Sequence, residues 1–241
     1  MGPAGVGAAA QVFVPDLEVL SVAPHDAHHL EHALRLRPGE TVVACDGRGA
    51  WRTCRVTGAR AGGRAGLLEA DGPVHHEARH PTELTVAFVP VKGGRPEWVV
   101  QKLTETGVDR IVALSSKRAV VRWTAERRDG ALSRLRRVAR EAAAQSRRAW
   151  LPEVDLAAGL DELAGRLAPV PLALAQPGGD HPSTALPALA VGPEGGWDPS
   201  EPAQGYPLVG LGPTVLRAET AAVAAGVLLC ALRAGLVRPA T

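Results

Sequence analysis

Two short segments combine glycine with charge directly after apolar runs. Gly192-Pro193-Glu194-Gly195-Gly196 follows the run Ala188–Val191. Glycines at the C-terminal end of a strand let the backbone approach a ligand, and that end is where open α/β sheets bind small molecules. The pentapeptide is neither a Walker loop nor a G-x-G-x-x-G fingerprint, so its spacing offers no nucleotide-phosphate cradle. Taken alone, it is a tight turn more often than a site. The second segment, residues 211–221 (LGPTVLRAETA), places Gly212 after an apolar strand and then opens a helix. Arg217 and Glu219 stand there among apolar neighbours, and such a pair must be bridged, exposed or functional. One reading is a structural Arg217–Glu219 bridge with N-terminal capping. The other turns a guanidinium and a carboxylate on a substrate.

Two further segments carry candidate chemistry. Residues 134–147 form a basic amphipathic helix. Leu135, Val138, Ala139 and Ala142 face inward, while Arg136, Arg137, Arg140 and Arg147 project elsewhere. Such a face suits phosphate contact, and partner-helix docking would look similar. His28-His29-Leu30-Glu31-His32 formally matches H-x-x-E-H, which on a helix puts His28 and His32 on one face. A catalytic zinc also needs a third ligand and an open position. No later helix offers a convincing Glu, so no metal is expected.

These residues need elements to hold them. Up to about residue 78 the chain shows β-like runs at 11–14, 41–45, 51–57 and 66–69, plus one helical stretch over 26–36. That is a small β-rich module. A seam at Asp71-Gly72-Pro73 through Pro81 follows, and the rhythm changes. The nearly continuous apolar run 84–91 predicts a strand buried on both faces. Pro96 suits the first turn of a helix ending at Gly107. Strands at 110–114, 171–176, 188–191 and 207–211 then alternate with helices around 133–146 and 218–233, which predicts an α/β domain with a mainly parallel sheet. The division expected is 1–78 and 79–241.

Composition agrees with two folded modules. Of 241 residues, 46% are hydrophobic and 22% charged, which excludes wholesale disorder. Three cysteines (Cys45, Cys54, Cys230) cannot all pair, and no zinc-ribbon spacing is present. The start MGPAGVGAAA lacks the basic region of a secretory signal, and the longest uncharged apolar run falls far short of about 20 residues. A cytoplasmic, non-membrane protein is expected. The net charge of +2 hides two islands: +5 over residues 35–64 and +8 over residues 117–148. One basic island per module suits a polyanion held by both, although each alone reads equally as a solvated face.

In this order, the stretches HHLEHALRLRPGE (28–40), KGGRPEWVVQKLTETGVDRIVAL (92–114), REAAAQSRR (140–148), VGPEGGWDPSE (191–201) and LGPTVLRAETAA (211–222) closely resemble the bacterial small-subunit rRNA uridine-N3 methyltransferase family, RsmE, of the SPOUT class. The resemblance runs from about Phe13 to Leu232. It implies a PUA-like RNA-binding β-barrel followed by an α/β domain with a C-terminal trefoil knot, working as a homodimer on 16S rRNA or the small ribosomal subunit. It also implies S-adenosylmethionine as cofactor, held at Leu174, Ala175, Gln176, Gly192, Glu194, Gly195, Gly196, Leu211, Gly212 and Leu216. Two positions depart from the family pattern: Thr214 stands where a basic residue is usual, and Trp197 where Phe is usual.

Uridine N3 is a poor nucleophile until it loses its proton. Arg217 is the candidate to stabilise the resulting charge, and Glu219 or Glu194 to accept the proton. Glu219 could instead only orient Arg217. The sulfonium is already an activated leaving group, which again leaves no call for a metal. Arg35, Arg37, Lys92, Arg95, Arg118, Arg122, Arg136, Arg140 and Arg147 are the expected RNA contacts. A knotted methyltransferase of another nucleotide, or a non-catalytic RNA-binding assembly protein of the same fold, are the competing readings.

Overall fold

The computed structural model describes residues 2–57, 67–93, 95–119, 121, 125–201 and 205–238. Two compact units emerge: Met1–His80 with Arg140–Leu151, and Pro81–Ala139 with Pro152–Thr241.

The first unit is built on β1 (Ala10–Phe13), α1 (Pro24–His28), β2 (Thr41–Cys45), β3 (Ala50–Val56), β4 (Leu68–Ala70) and β5 (His75–His76). Its five strands form one mixed sheet in the order β1-β2-β3-β4, with β5 also on β3. β1 runs parallel to β2, and the remaining pairs are antiparallel. Both faces are covered, which is why β1 and β2 lack clean alternation. Val12, Val42, Ala44 and Cys54 pack with Leu30 on one side. Phe13, Val43, Cys45 and Trp51 pack with Ala143 and Ala149 on the other. Pro24 starts α1, which runs directly into a π-helical turn over His29–Ala33. Residues 140–151 join this unit through specific bonds: Gln11 Nε2 donates to the Arg148 carbonyl at 2.7 Å, and Trp150 Nε1 to the Glu77 carbonyl at 2.9 Å.

The second unit holds β6 (Thr85–Phe88), α2 (Arg95–Thr106), β7 (Arg110–Leu114), α3 (Ala125–Gln145, its last turns counted with the first unit), β8 (Glu153–Ala157), α4 (Leu160–Leu167), β9 (Leu172–Asp180), β10 (Ala188–Val191), β11 (Leu208–Val209) and α5 (Ala218–Arg233). The sheet order is β11-β9-β10-β6-β7-β8, and these strands pair in parallel throughout. Alternate side chains separate two cores. Val86, Phe88, Ile111, Leu189 and Val191 pack against α2, α3 and α5. Ala87, Val112, Leu172, Leu174 and Ala190 pack against α4. In α2 the apolar residues Pro96, Val99, Val100 and Leu103 fall on one face, as the 3.6-residue period requires. α5 crosses α2 closely at Gly226, where a β-carbon would lie 2.5 Å from Leu103 Cδ2.

The strands expected at 41–45, 110–114 and 188–191 and the helix 218–233 have those bounds. α3 starts some turns earlier than its amphipathic stretch, and β8 and α4 were not foreseen. β8 is a short edge strand with charges at Glu153 and Asp155, and α4 has only eight residues, so neither leaves a long periodic signal. Among the described residues, no helix is long and apolar enough to cross a membrane.

Candidate functional site

The second unit carries a cleft of about 250 Å³ at the C-terminal ends of β9 and β10. Ala175 and Gln176 enter from β9, Gly192, Glu194 and Gly196 from the loop after β10, and Leu211, Gly212 and Leu216 from the turn before α5. Eight of the expected donor-site residues thus meet in one place. Two do not line it. Leu174 points to the α4 side of the sheet, because its neighbour Ala175 takes the cleft side of the pleat. Gly195 lies behind the loop, its carbonyl accepting a 2.8 Å bond from Arg118.

Sequence reasoning passed over Pro177, Val191, Thr214, Val215, Ala218 and Ala221, which also line the cleft. Apart from Thr214 they are apolar, and in sequence such residues in and beside strands and helices look like core. Trp197 lines it as well, and its ring closes on Gly192, where a β-carbon would stand 3.0 Å from Cε2 and Nε1. A side chain at 192 would press on this ring, which would have to shift by a few tenths of an ångström.

A polar clamp fixes the shape of this loop. Arg118 Nε lies 3.5 Å from Asp198, Lys117 Nζ donates to Ser200 Oγ at 2.8 Å, and Ser116 Oγ donates to Glu201 at 3.1 Å. Hydrogen bonds from the Ser200 side chain and backbone, with Arg118 adding to them, hold the Asp198 carboxyl below the usual range.

Arg217 is exposed at the N-cap of α5, between the lining residues Leu216 and Ala218, and makes no side-chain capping bond. The expected Arg217–Glu219 bridge is absent. Residues two apart at a helix start do not face each other, and Glu219 instead pairs with Arg95 of α2 at 3.0 Å through Oε1. Its Oε2 is buried and has no hydrogen-bond partner among the described residues. As a first-turn carboxylate it also gains from the helix dipole, typically about 0.5 kcal/mol. Glu194 is exposed on the loop.

The expected RNA contacts divide into two sets. Arg35, Arg37 and Lys92 are exposed, with Arg35 in the left-handed region at φ 53°. The others are engaged within the protein. Arg95 holds Glu219, Arg118 holds the loop, and Arg136 Nε donates to the Val154 carbonyl at 3.0 Å. Arg140 donates to the Phe13 carbonyl at 2.6 Å and pairs with Asp26 at 3.0 Å, while Arg147 donates to the Ala8 carbonyl at 2.8 Å. Burial lowers the pKa of the Arg147 guanidinium. Since a guanidinium has five N–H donors, each keeps capacity for a further contact. Arg122 lies outside the described residues. The His28 and His32 rings meet at 4.5 Å, and among the described residues no three His, Cys, Asp or Glu gather as metal ligands.

A family model described as an RNA methyltransferase domain matches residues 78–229, and one described as an RNA methyltransferase PUA domain matches residues 22–62. The chain is 36% identical to ribosomal RNA small subunit methyltransferase E of Mycobacterium tuberculosis, over 88% of this chain and 86% of that protein. It is 33% identical to the Synechocystis protein of the same name, over 80% and 67%. Among solved structures, a Legionella pneumophila protein with bound cofactor SAM superposes with a TM-score of 0.79 at 26% identity, covering 92% of this chain and 96% of that one. Ribosomal RNA small subunit methyltransferase E from Neisseria gonorrhoeae, bound to S-adenosyl methionine, gives 0.71 at 28%, covering 92% and 97%.

Proposed function

This chain belongs to the ribosomal RNA small subunit methyltransferase E family, and from that premise we propose its acceptor atom, its working residues and its assembly. It is an S-adenosylmethionine-dependent methyltransferase of ribosomal RNA. The acceptor is N3 of a uridine in the 16S RNA of the small subunit. One observation carries the assignment of the site: the 192–197 loop and the 211–218 turn meet in a single cleft, with Arg217 between two of its lining residues.

The cleft fits the methyl donor. Its walls are small and apolar at Ala175, Val191, Leu211, Ala218 and Ala221, and Gly192 and Gly212 keep main-chain groups accessible. Ala175, Gln176, Gly192, Gly196, Leu211, Gly212 and Leu216 would hold it, with Leu174 and Gly195 supporting them from behind. When bound, the donor supplies a methyl group on a sulfonium, an already activated leaving group.

The residues of the chain then have two tasks. Arg217 stabilises negative charge on a uracil oxygen as N3 loses its proton, a contribution typically of about 10²–10³ in rate. Glu219 or Glu194 accepts that proton, directly or through one water. Of the two, Glu194 lines the cleft, whereas Arg95 occupies Oε1 of Glu219, whose Oε2 is buried. Arg35, Arg37 and Lys92 contact phosphates with their exposed guanidinium and ammonium groups, and the engaged arginines add contacts where their remaining donors reach.

The module expected over 1–78 places the RNA, and the one over 79–241 transfers the methyl group. The C-terminal chain forms a trefoil knot, a reading supported by the position of β9 between β10 and β11. A homodimer is supported by apolar side chains left exposed on and beside α5, namely Val215, Val227 and Leu236. A cytoplasmic site of action follows from the substrate.

The test is to incubate the protein with labelled S-adenosylmethionine and undermethylated small ribosomal subunits, then identify the modified nucleoside. 3-Methyluridine is expected. Label in another nucleoside, or none in RNA, overturns the assignment.

A further inference from the structure

The first unit contains a larger cavity, of about 730 Å³, within the roughly 300–1,000 Å³ range of small-molecule sites. It runs along consecutive residues Ala9–Val12 of the edge strand β1, between the α1 turn and residues 141–147. Two stretches distant in sequence meet there: His28, His29 and Leu34 from one, and Glu141, Gln145 and Arg147 from the other. Both belong to the segments that carry the family resemblance, yet neither contributes to the methyl-donor cleft.

Its wall is polar and incompletely satisfied. Gln11 is 6% exposed and spends its amide nitrogen on the Arg148 carbonyl, while its Oε1 is buried without a partner among the described residues. Arg147 spends Nη2 on the Ala8 carbonyl, and its Nη1 is likewise buried without a partner. Both residues line the cavity, so a small rotation of either side chain would turn an unsatisfied acceptor or donor toward a base edge lying in it. His28 and His29 are exposed rings on which a base can stack, and Leu34 adds an apolar edge.

We propose that this cavity holds one unstacked nucleotide of the substrate RNA, with Gln11 and Arg147 reading the base edge and the His28–His29 side stacking on its face. The inference rests on the RNA methyltransferase reading. Charge argues for a base within and phosphates outside, because Asp26 and Glu141 put two carboxylates in the same wall. An added peptide strand is disfavoured. The β1 edge is already capped at both ends, where Arg147 binds the Ala8 carbonyl and Arg140 the Phe13 carbonyl. Exposed Arg35, one residue beyond Leu34, is placed for a flanking phosphate.

Binding of undermethylated small ribosomal subunits by wild type, His29→Ala and Arg147→Lys, followed by filter retention at several salt concentrations, tests this. His29→Ala should weaken binding at least about fivefold. Its salt dependence should equal that of wild type, because a stacking contact releases no counterions. Arg147→Lys keeps the charge but loses the planar fork, and should weaken binding to a similar degree. Affinity for S-adenosylmethionine and the melting temperature of His29→Ala should not change. Wild-type binding by His29→Ala overturns the proposal, as does weakening accompanied by a salt slope reduced by about one, the mark of a lost phosphate contact. Should Arg147→Lys fail to fold, surface-exposed His29 still decides. Wild type that binds subunits without methylating them would sink the reaction assigned above, while the binding ratio still judges this pocket.

Discussion

The two cavities solve opposite problems with opposite materials. The cleft of the second unit is lined by glycines, small apolar residues and main chain at the ends of parallel strands, with Glu194 the one charged residue among its described lining and Arg217 between two lining residues. The cavity of the first unit is lined by histidines, carboxylates, two glutamines and an arginine along a strand edge. A cofactor of fixed shape suits a preformed backbone mould, in which any added side chain is an obstruction. A nucleotide presented by a large RNA suits side chains that can adjust. The difference predicts where each unit is fragile.

The largest expected effect is at the rim of the mould. Arg217→Ala should lower kcat by about 100-fold or more while S-adenosylmethionine affinity stays within a few-fold, measured by single-turnover methylation and calorimetry. Equal losses in both would move Arg217 from catalysis to donor binding and blur the difference between the two cavities. Gly192→Ala comes next. Its β-carbon meets the Trp197 ring at 3.0 Å, and overpacking of this kind costs about 1–3 kcal/mol. Donor affinity should therefore fall roughly tenfold, with partial recovery in Gly192→Ala/Trp197→Phe, where a smaller ring gives room. No recovery would show that the glycine serves the ligand rather than the tryptophan.

A smaller effect is expected at Arg95, which acts through Glu219. Arg95→Ala should reduce kcat several-fold with S-adenosylmethionine affinity unchanged, because Glu219 loses the cation that fixes its Oε1. Arg95→Lys should restore much of the loss. Unchanged kcat would leave the pair a purely structural tie between α2 and α5.

The smallest effect belongs to the first unit's core. Burial, only partly offset by Arg52, pushes the Cys54 thiol from 9.0 to about 11. The unfolded chain then loses this proton from about pH 9, whereas the folded chain keeps it up to about pH 11. Stability should fall across that window and be unaffected by Cys54 below it. Denaturant titrations of wild type and Cys54→Ala should diverge only above about pH 9. Parallel curves throughout would mean that the thiol is as acidic folded as unfolded.

Much of the second unit was legible because its signals are local. Fully apolar runs such as Ala188–Val191 announce parallel strands buried on both faces, and glycines directly after them mark the ligand end of the sheet. Arg217 and Glu219 stood out as charges at the head of an apolar helix. Their partners did not. Arg95 is 124 residues from Glu219 in sequence, and nothing in its own segment says that it turns inward rather than toward RNA. The cavity of the first unit was less legible still. It needs β1, the turn after α1 and residues 141–147 together, and the last of these reads in sequence as part of a basic helix of the other module.

The sequence by itself determined the two architectures, the family and the loops that form the cleft of the second unit. Those follow from periodicity, glycine placement and short motifs, all of which act over a few residues. Only the tertiary structure decided which arginines are spoken for. Arg95, Arg118, Arg136, Arg140 and Arg147 look alike in a charge count, yet each finds a carbonyl or carboxylate inside its own unit. Folding brings such acceptors within about 3 Å, where a charge-assisted hydrogen bond forms, and composition carries no record of that distance.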